Sequence, residues 1–130
     1  DEWQNHGVEK GREYAILTDE VTKAWSGMST RQYKNLKGLK KENLRDNMST
    51  LELALNMLAE ATTTELTKTQ NPFGLEENKK VAKSGGKIAG DARKSIESKT
   101  GRSVITTDNA QKLNRVVTEA IEEIAKKDNK

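Results

Sequence analysis

Residues 37–58 read KGLKKENLRDNMSTLELALNML, a cationic turn that runs straight into an apolar helix. Ser49-Thr50-Leu51-Glu52 has the form of a capping box, in which the serine hydroxyl and the glutamate side chain satisfy two helix-start amides. Met48 and Leu53 stand at the positions of a hydrophobic staple. From Thr50 to about Lys68, Leu51, Leu55, Leu58 and Thr62 recur at helical spacing with Ala54 and Ala61 beside them, which predicts an apolar stripe. A charged turn on a rigid helical support suits binding better than catalysis.

The same start signal occurs upstream. Ser29 and Gln32 form a second box, with Met28 and Tyr33 as its staple, and Gly38 stops the helix that follows. Before it, Thr18 offers an N-cap, Asp19 and Glu20 suit a positive helix start, and Val21, Ala24 and Trp25 make one face that Gly27 ends. Downstream, Asn71-Pro72-Phe73-Gly74 breaks the pattern, because proline disfavours a helical residue before it. A helix from about Leu75 to Lys99 then carries the stripe Val81, Gly85, Ile88, Ala92 and Ile96, with Ala89 alongside, and closes at Gly101. Asp108 with Gln111 opens a last helix in which Leu113, Val117, Ala120 and Ile124 repeat at heptad-like spacing. Lys126, Lys127 and Lys130 complement its negative end.

Two short apolar runs, Tyr14 to Leu17 and Ser103 to Thr106, read as extended. The expected fold is all-α, a bundle of about five helices that admits a minimal two-stranded pairing of 14–17 with 103–106. Residues 1–12, polar with Gly7 and Gly11, read as a linker or arm, and 13–130 as a single helical domain. The first residue is Asp1, which suggests a piece cut from a longer protein.

At 130 residues the chain has the size of one domain, with 32% hydrophobic and 33% charged residues, so its core must be thin. No aromatic residue follows Phe73, and the second half must pack with aliphatic side chains. The absence of cysteine excludes disulfides, thiolate metal sites and a cysteine nucleophile, and agrees with a reducing cytoplasm. The longest apolar runs are a few residues, too short to span a membrane, and no secretion signal is visible.

Little in the chain fits an active site. His6 is the only histidine and lies in the arm without a visible partner for a triad or metal site. Gly85-Gly86-Lys87-Ile88-Ala89-Gly90 lacks the spacing and preceding strand of a phosphate loop. Its helical periodicity predicts close packing against another helix, which offsets the roughly 1 kcal/mol that each helical glycine costs. Carboxylates are plentiful, but Glu52 belongs to a cap and the others fall at helix starts or on polar faces. No cofactor, metal or small-molecule substrate is implied, and an enzyme is not expected.

Binding fits better. The net charge of +3 is modest, but Lys79 to Arg102 holds eight basic residues against two acidic ones, among them Lys79, Lys83, Lys87 and Arg93. From Asn47 to Leu66 there are three acidic residues and no basic one. Such segments serve a polyanion or pair internally. The segment from Thr18 to Lys41 has helix-turn-helix proportions, and its second helix would present Arg31, Gln32, Lys34, Asn35 and Lys37. Lys40, Lys41 and Arg45 extend that cationic edge.

Several segments carry a family resemblance. Tyr14 to Thr18, Lys37 to Lys41, Asn43 to Met48 and Leu51 to Ala61 resemble the C-terminal half of the DNA-damage-inducible proteins of the D type. Gly85 to Arg93 and Thr100-Gly101-Arg102 resemble its continuation, so the likeness runs from about Tyr14 to Asn109. It implies a bacterial cytoplasmic protein of the SOS response, acting around DNA repair or recombination. Family members usually carry an N-terminal domain of the BRO type, also found in phage antirepressors. The family defines no catalytic residues, so none is carried over.

The resulting expectation is a non-enzymatic helical domain that modulates repair by binding the repair machinery or nucleoprotein filaments through basic surfaces. The alternative is a sequence-reading DNA-binding regulator of antirepressor type that uses residues 18–41. A third reading is a homodimerisation module that pairs the Leu113 to Ile124 stripe between chains.

Overall fold

The computed structural model describes residues 2–128, without the side chains of 111–114, Val116, Lys127 and Asp128. The expectation for Lys130, and the Leu113, Gln111 and Lys127 side chains of the last helix, therefore lie outside the described residues. Six α-helices are present among those described: α1 (Glu2–Asn5), α2 (Arg12–Ser26), α3 (Thr30–Leu36), α4 (Thr50–Gln70), α5 (Gly74–Thr100) and α6 (Ala110–Asp128). A single 3-10 turn at Arg45–Asn47 leads into α4. The architecture is an all-helical bundle whose centre is α5 packed on α2 and α4.

Both capping boxes form. Ser29 and Ser49 each accept from the backbone amide three residues on, while Gln32 and Glu52 each return a bond to the cap amide. Gly27 and Gly101 end α2 and α5 in the left-handed conformation, at φ 81 and φ 71. Asn71 does the same for α4 at φ 52, so Pro72 follows a helix already closed.

No strand exists among the described residues, and the pairing of 14–17 with 103–106 does not form. Tyr14 to Leu17 instead belongs to α2, because Leu17, Val21 and Trp25 repeat every fourth residue and all turn inward. Thr18 is thus inside the helix and not its cap; its carbonyl accepts from the Thr22 hydroxyl. Residues 101–109 form an irregular segment that buries Val104 in the core.

Residues 2–12, read from composition as an arm, also pack on the body. Val8 is buried, Trp3 meets Tyr14 edge-on with ring centroids 5.4 Å apart, and the His6 ring lies 2.8 Å from the Pro72 carbonyl. The His6 carbonyl accepts from the Gly74 amide at 2.9 Å, which ties the N-terminal turn to the α4–α5 corner.

The stripe predicted for α4 is rotated. Glu52, Leu55, Ala59, Thr63 and Thr67 face inward, while Leu51 and Leu58 are about two-fifths exposed (41% and 40%). The reason lies in α5, whose Gly85, Gly86 and Gly90 are all buried. A Cβ on Gly86 would stand 2.5 Å from the Ala24 Cβ and 2.8 Å from the Val21 carbonyl oxygen; one on Gly90 would stand 2.7 Å from the Ala24 carbonyl oxygen. A Cβ on Gly85 would collide with Thr63. On α4 the contact falls at Thr63, which faces Gly85, while Ala59 is buried on the same inward face and Leu51 and Leu58 lie on the flank. Ile88, placed in the predicted stripe of α5, is 48% exposed for the same reason.

Trp25 and Tyr33 fill the space beside that contact, with centroids 5.9 Å apart and no exposed surface. Burying side chains of this size stabilises by about 1.5–3 kcal/mol each. The Trp25 indole N–H donates to Asn56 at 3.1 Å, so the largest core residue leaves no polar atom unpaired.

Candidate functional site

Three of the expected basic residues converge. Arg31, Lys34 and Lys40 line an open groove between α2 and α3, and Arg12 joins them from the start of α2. The groove has a volume of about 760 Å³ and an apolar floor from Ala15 and Ile16. Its one carboxylate, Asp19, is already engaged: it accepts from the Thr30 amide at 2.7 Å and lies 3.3 Å from the Lys23 ammonium. Burial alone would push its carboxyl up, but the Thr30 and Lys23 partners outweigh it and hold the carboxyl below its ordinary value.

None of Arg12, Arg31, Lys34 and Lys40 has an ion-pair partner among the described residues. Lys41 is exposed beside Lys40. The cationic edge is tempered by Glu42, whose carboxylate accepts from the Lys40 amide at 2.6 Å and is held below its usual value by that bond and neighbouring amides.

Two expected contacts of α3 are not free to bind. Gln32 serves its helix cap. Lys37, expected on the surface, is 1% exposed. Its ammonium donates to Glu52 at 2.9 Å and to the carbonyls of Thr106 and Asp108 at 2.9 and 2.6 Å, and sits 5.8 Å from the Tyr33 ring centroid. Tyr33 in turn donates its hydroxyl to Glu52. Burial, and then the Glu52 carboxylate, push the Tyr33 phenol far above its ordinary range. Asn35 remains exposed and Lys34 half-buried.

The remaining expected cations lie elsewhere and are paired. Arg45 meets Glu60 of α4 at 2.8 Å. On α5, Lys79 lies 3.9 Å from Glu76, Lys83 3.9 Å from Glu20, Lys87 3.6 Å from Asp91 and Arg93 2.8 Å from Glu97. Arg93 also donates to the Trp25 carbonyl at 2.8 Å, a structural bond that closes α2 onto α5. The basic run from Lys79 to Arg102 therefore joins the groove at no point along its length. Arg12 is the residue that sequence reading missed. Once Tyr14 to Leu17 is helical, Arg12, Ile16 and Asp19 share one face, and that spacing was the available signal.

A second hollow, about 370 Å³, lies between α1, α2 and α4 and is walled by Trp3, Tyr14 and several threonines. It holds Glu2 and Glu60 and no cation, so it does not suit phosphate. Among the described residues no group of three His, Asp or Glu side chains could hold a metal ion, and no helix is long and apolar enough to cross a membrane.

No curated protein and no solved structure matches the chain at a significant level. One family model does, the DinD C-terminal domain, over residues 1–124. That span takes in the N-terminal turn, both capping boxes, the glycine contact of α5 and every cation of the groove, and by it the chain belongs to the DinD C-terminal domain family.

Proposed function

We propose that the chain is a non-enzymatic helical module of the DNA-damage response that binds DNA, or the repair and recombination proteins assembled on it, through the groove between α2 and α3. The observation that carries this reading is the set Arg12, Arg31, Lys34 and Lys40, four cations gathered in one groove without carboxylate partners among the described residues. A phosphate backbone supplies the charges they lack and releases its counterions on binding. The family supports a place in the response to DNA damage, and action in the bacterial cytoplasm belongs to the same proposal.

Reversing Arg31 and Lys40 to Glu should abolish capture of the partner and leave the melting temperature unchanged, because both side chains are exposed. The paired reversal of Lys83 and Lys87 should cost far less. Equal losses from the two pairs would remove the groove from consideration.

The second reading, base recognition by α3, draws on the exposed Arg31 and Asn35. It is the weaker one, because Gln32 is held in its cap and Lys37 is buried. It predicts that Arg31→Ala with Asn35→Ala relaxes a sequence preference, and a protein without such a preference contradicts it.

A further inference from the structure

Among the described residues, no α6 side chain belongs to the core, which is built around α2, α4 and α5. Its first turn is nonetheless fixed. The Asn109 side chain donates to the Lys37 carbonyl at 2.9 Å, and the Ala110 amide donates to the Asn47 side chain at 2.8 Å. Beyond that anchor, every described side chain from Arg115 to Lys126 is exposed. Val117, Ile121 and Ile124 are 57%, 60% and 60% exposed, an apolar face that a lone helix does not leave in water without a partner.

The order of residues says what covers it. Six apolar positions of α6 mirror one another about the midpoint between Thr118 and Glu119: Leu113 with Ile124, Val116 with Ile121, and Val117 with Ala120. A face that reads the same from either end is self-complementary under a two-fold axis, where residue i meets j and j meets i. One pair of charges obeys the same mirror, and the other charges stand level with neutral residues. Arg115 stands level with Glu122, and no charged position of the helix stands level with one of its own sign. The helix carries four basic and four acidic residues, so its polar side gives no pull toward an anionic lipid surface.

We infer that α6 pairs with α6 of a second copy of this chain, antiparallel, with Val117 over Ala120 and Arg115 level with Glu122 on both sides of the axis. The small Ala120 opposite Val117 lets the two helices approach closely at the centre. The pair holds two groove-bearing bodies at opposite ends and presents two cationic grooves to one polyanion, which raises avidity without any new contact. The inference does not depend on what the groove binds.

Light scattering of the 130-residue chain should give twice the 14.5 kDa chain mass. Ile121→Lys with Ile124→Lys should return it to one chain mass. Because both side chains are largely exposed and neither belongs to the core, the thermal melt of the core should not move. To test the register, Val117→Cys and Ala120→Cys chains are oxidised each alone and, starting from reduced chains, as an equimolar mixture, in a protein with no cysteine of its own. The antiparallel pair forms disulfides between the two variants when mixed and few within either alone. A single chain mass at hundred-micromolar concentration overturns the inference. Efficient disulfides within the Val117→Cys variant alone overturn the antiparallel register.

Discussion

The Lys37 ammonium and the Glu52 carboxylate meet at 2.9 Å with neither side chain exposed at all. The pair also receives the Tyr33 hydroxyl and reaches the carbonyls of Thr106 and Asp108, so one buried charge cluster joins α3, α4 and the segment ahead of α6. Removing one partner leaves the other charge buried without compensation, which costs about 3–5 kcal/mol. Lys37→Ala should therefore lower the denaturant midpoint by that equivalent, while Lys41→Ala, on the exposed turn, should change it little.

The glycines of α5 give a prediction of opposite sign to helix propensity. Alanine is favoured over glycine in a helix by roughly 1 kcal/mol, yet Gly86→Ala and Gly90→Ala should each destabilise by about 1–3 kcal/mol, because the added methyl meets the α2 backbone. Ser84→Ala, exposed on the same helix, should be neutral or slightly stabilising. Thermal melts of the three variants check the contrast.

Sequence reading found what local chemistry decides and missed what packing decides. The two capping boxes, the stops at Gly27 and Gly101 and the close approach at Gly85-Gly86 were legible, because each follows from residues within a few positions of one another. The face of α4 was not. Leu51 and Leu58 look like core by hydrophobicity, but the inward face of α4 meets Gly85 at Thr63, and the two leucines fall beside that contact. Lys37 was misread for a related reason: a lone lysine in a basic stretch reads as surface, and its partner Glu52 lies fifteen residues on, already assigned to a cap. The groove was half legible, since Arg31, Lys34 and Lys40 fall in one stretch while Arg12 closes the stretch that read as a linker or arm.

Acid should loosen the joint between α2 and α3. The Asp19 carboxyl is held below its ordinary value of 3.8, so its contribution is fully present above that pH and is lost as pH falls through the lowered value. Asp19→Asn should remove this part of the acid dependence, whereas Asp19→Ala, which deletes the acceptor of the Thr30 amide, should cost about 0.5–2 kcal/mol at neutral pH, the scale of a lost helix-start bond. Unfolding curves at neutral pH and below pH 4 check both.

Alkali tests the buried cluster from the other side. Tyr33 is raised far above the ordinary tyrosine value of 10.0, so the stability it confers is complete below that pH and falls as pH rises beyond it, where only the unfolded chain ionises. The tyrosinate absorbance of Tyr33 should consequently appear together with loss of helix signal. A Tyr33→Phe chain should lose that coincident step.

The most direct test of the groove is fluorescence anisotropy of labelled single- and double-stranded DNA, titrated with the chain at two salt concentrations. The account predicts salt-sensitive binding whose slope falls by about one for each groove cation replaced by alanine. Binding that is absent at low salt, or whose slope is unchanged when Arg31 and Lys40 are replaced, contradicts it.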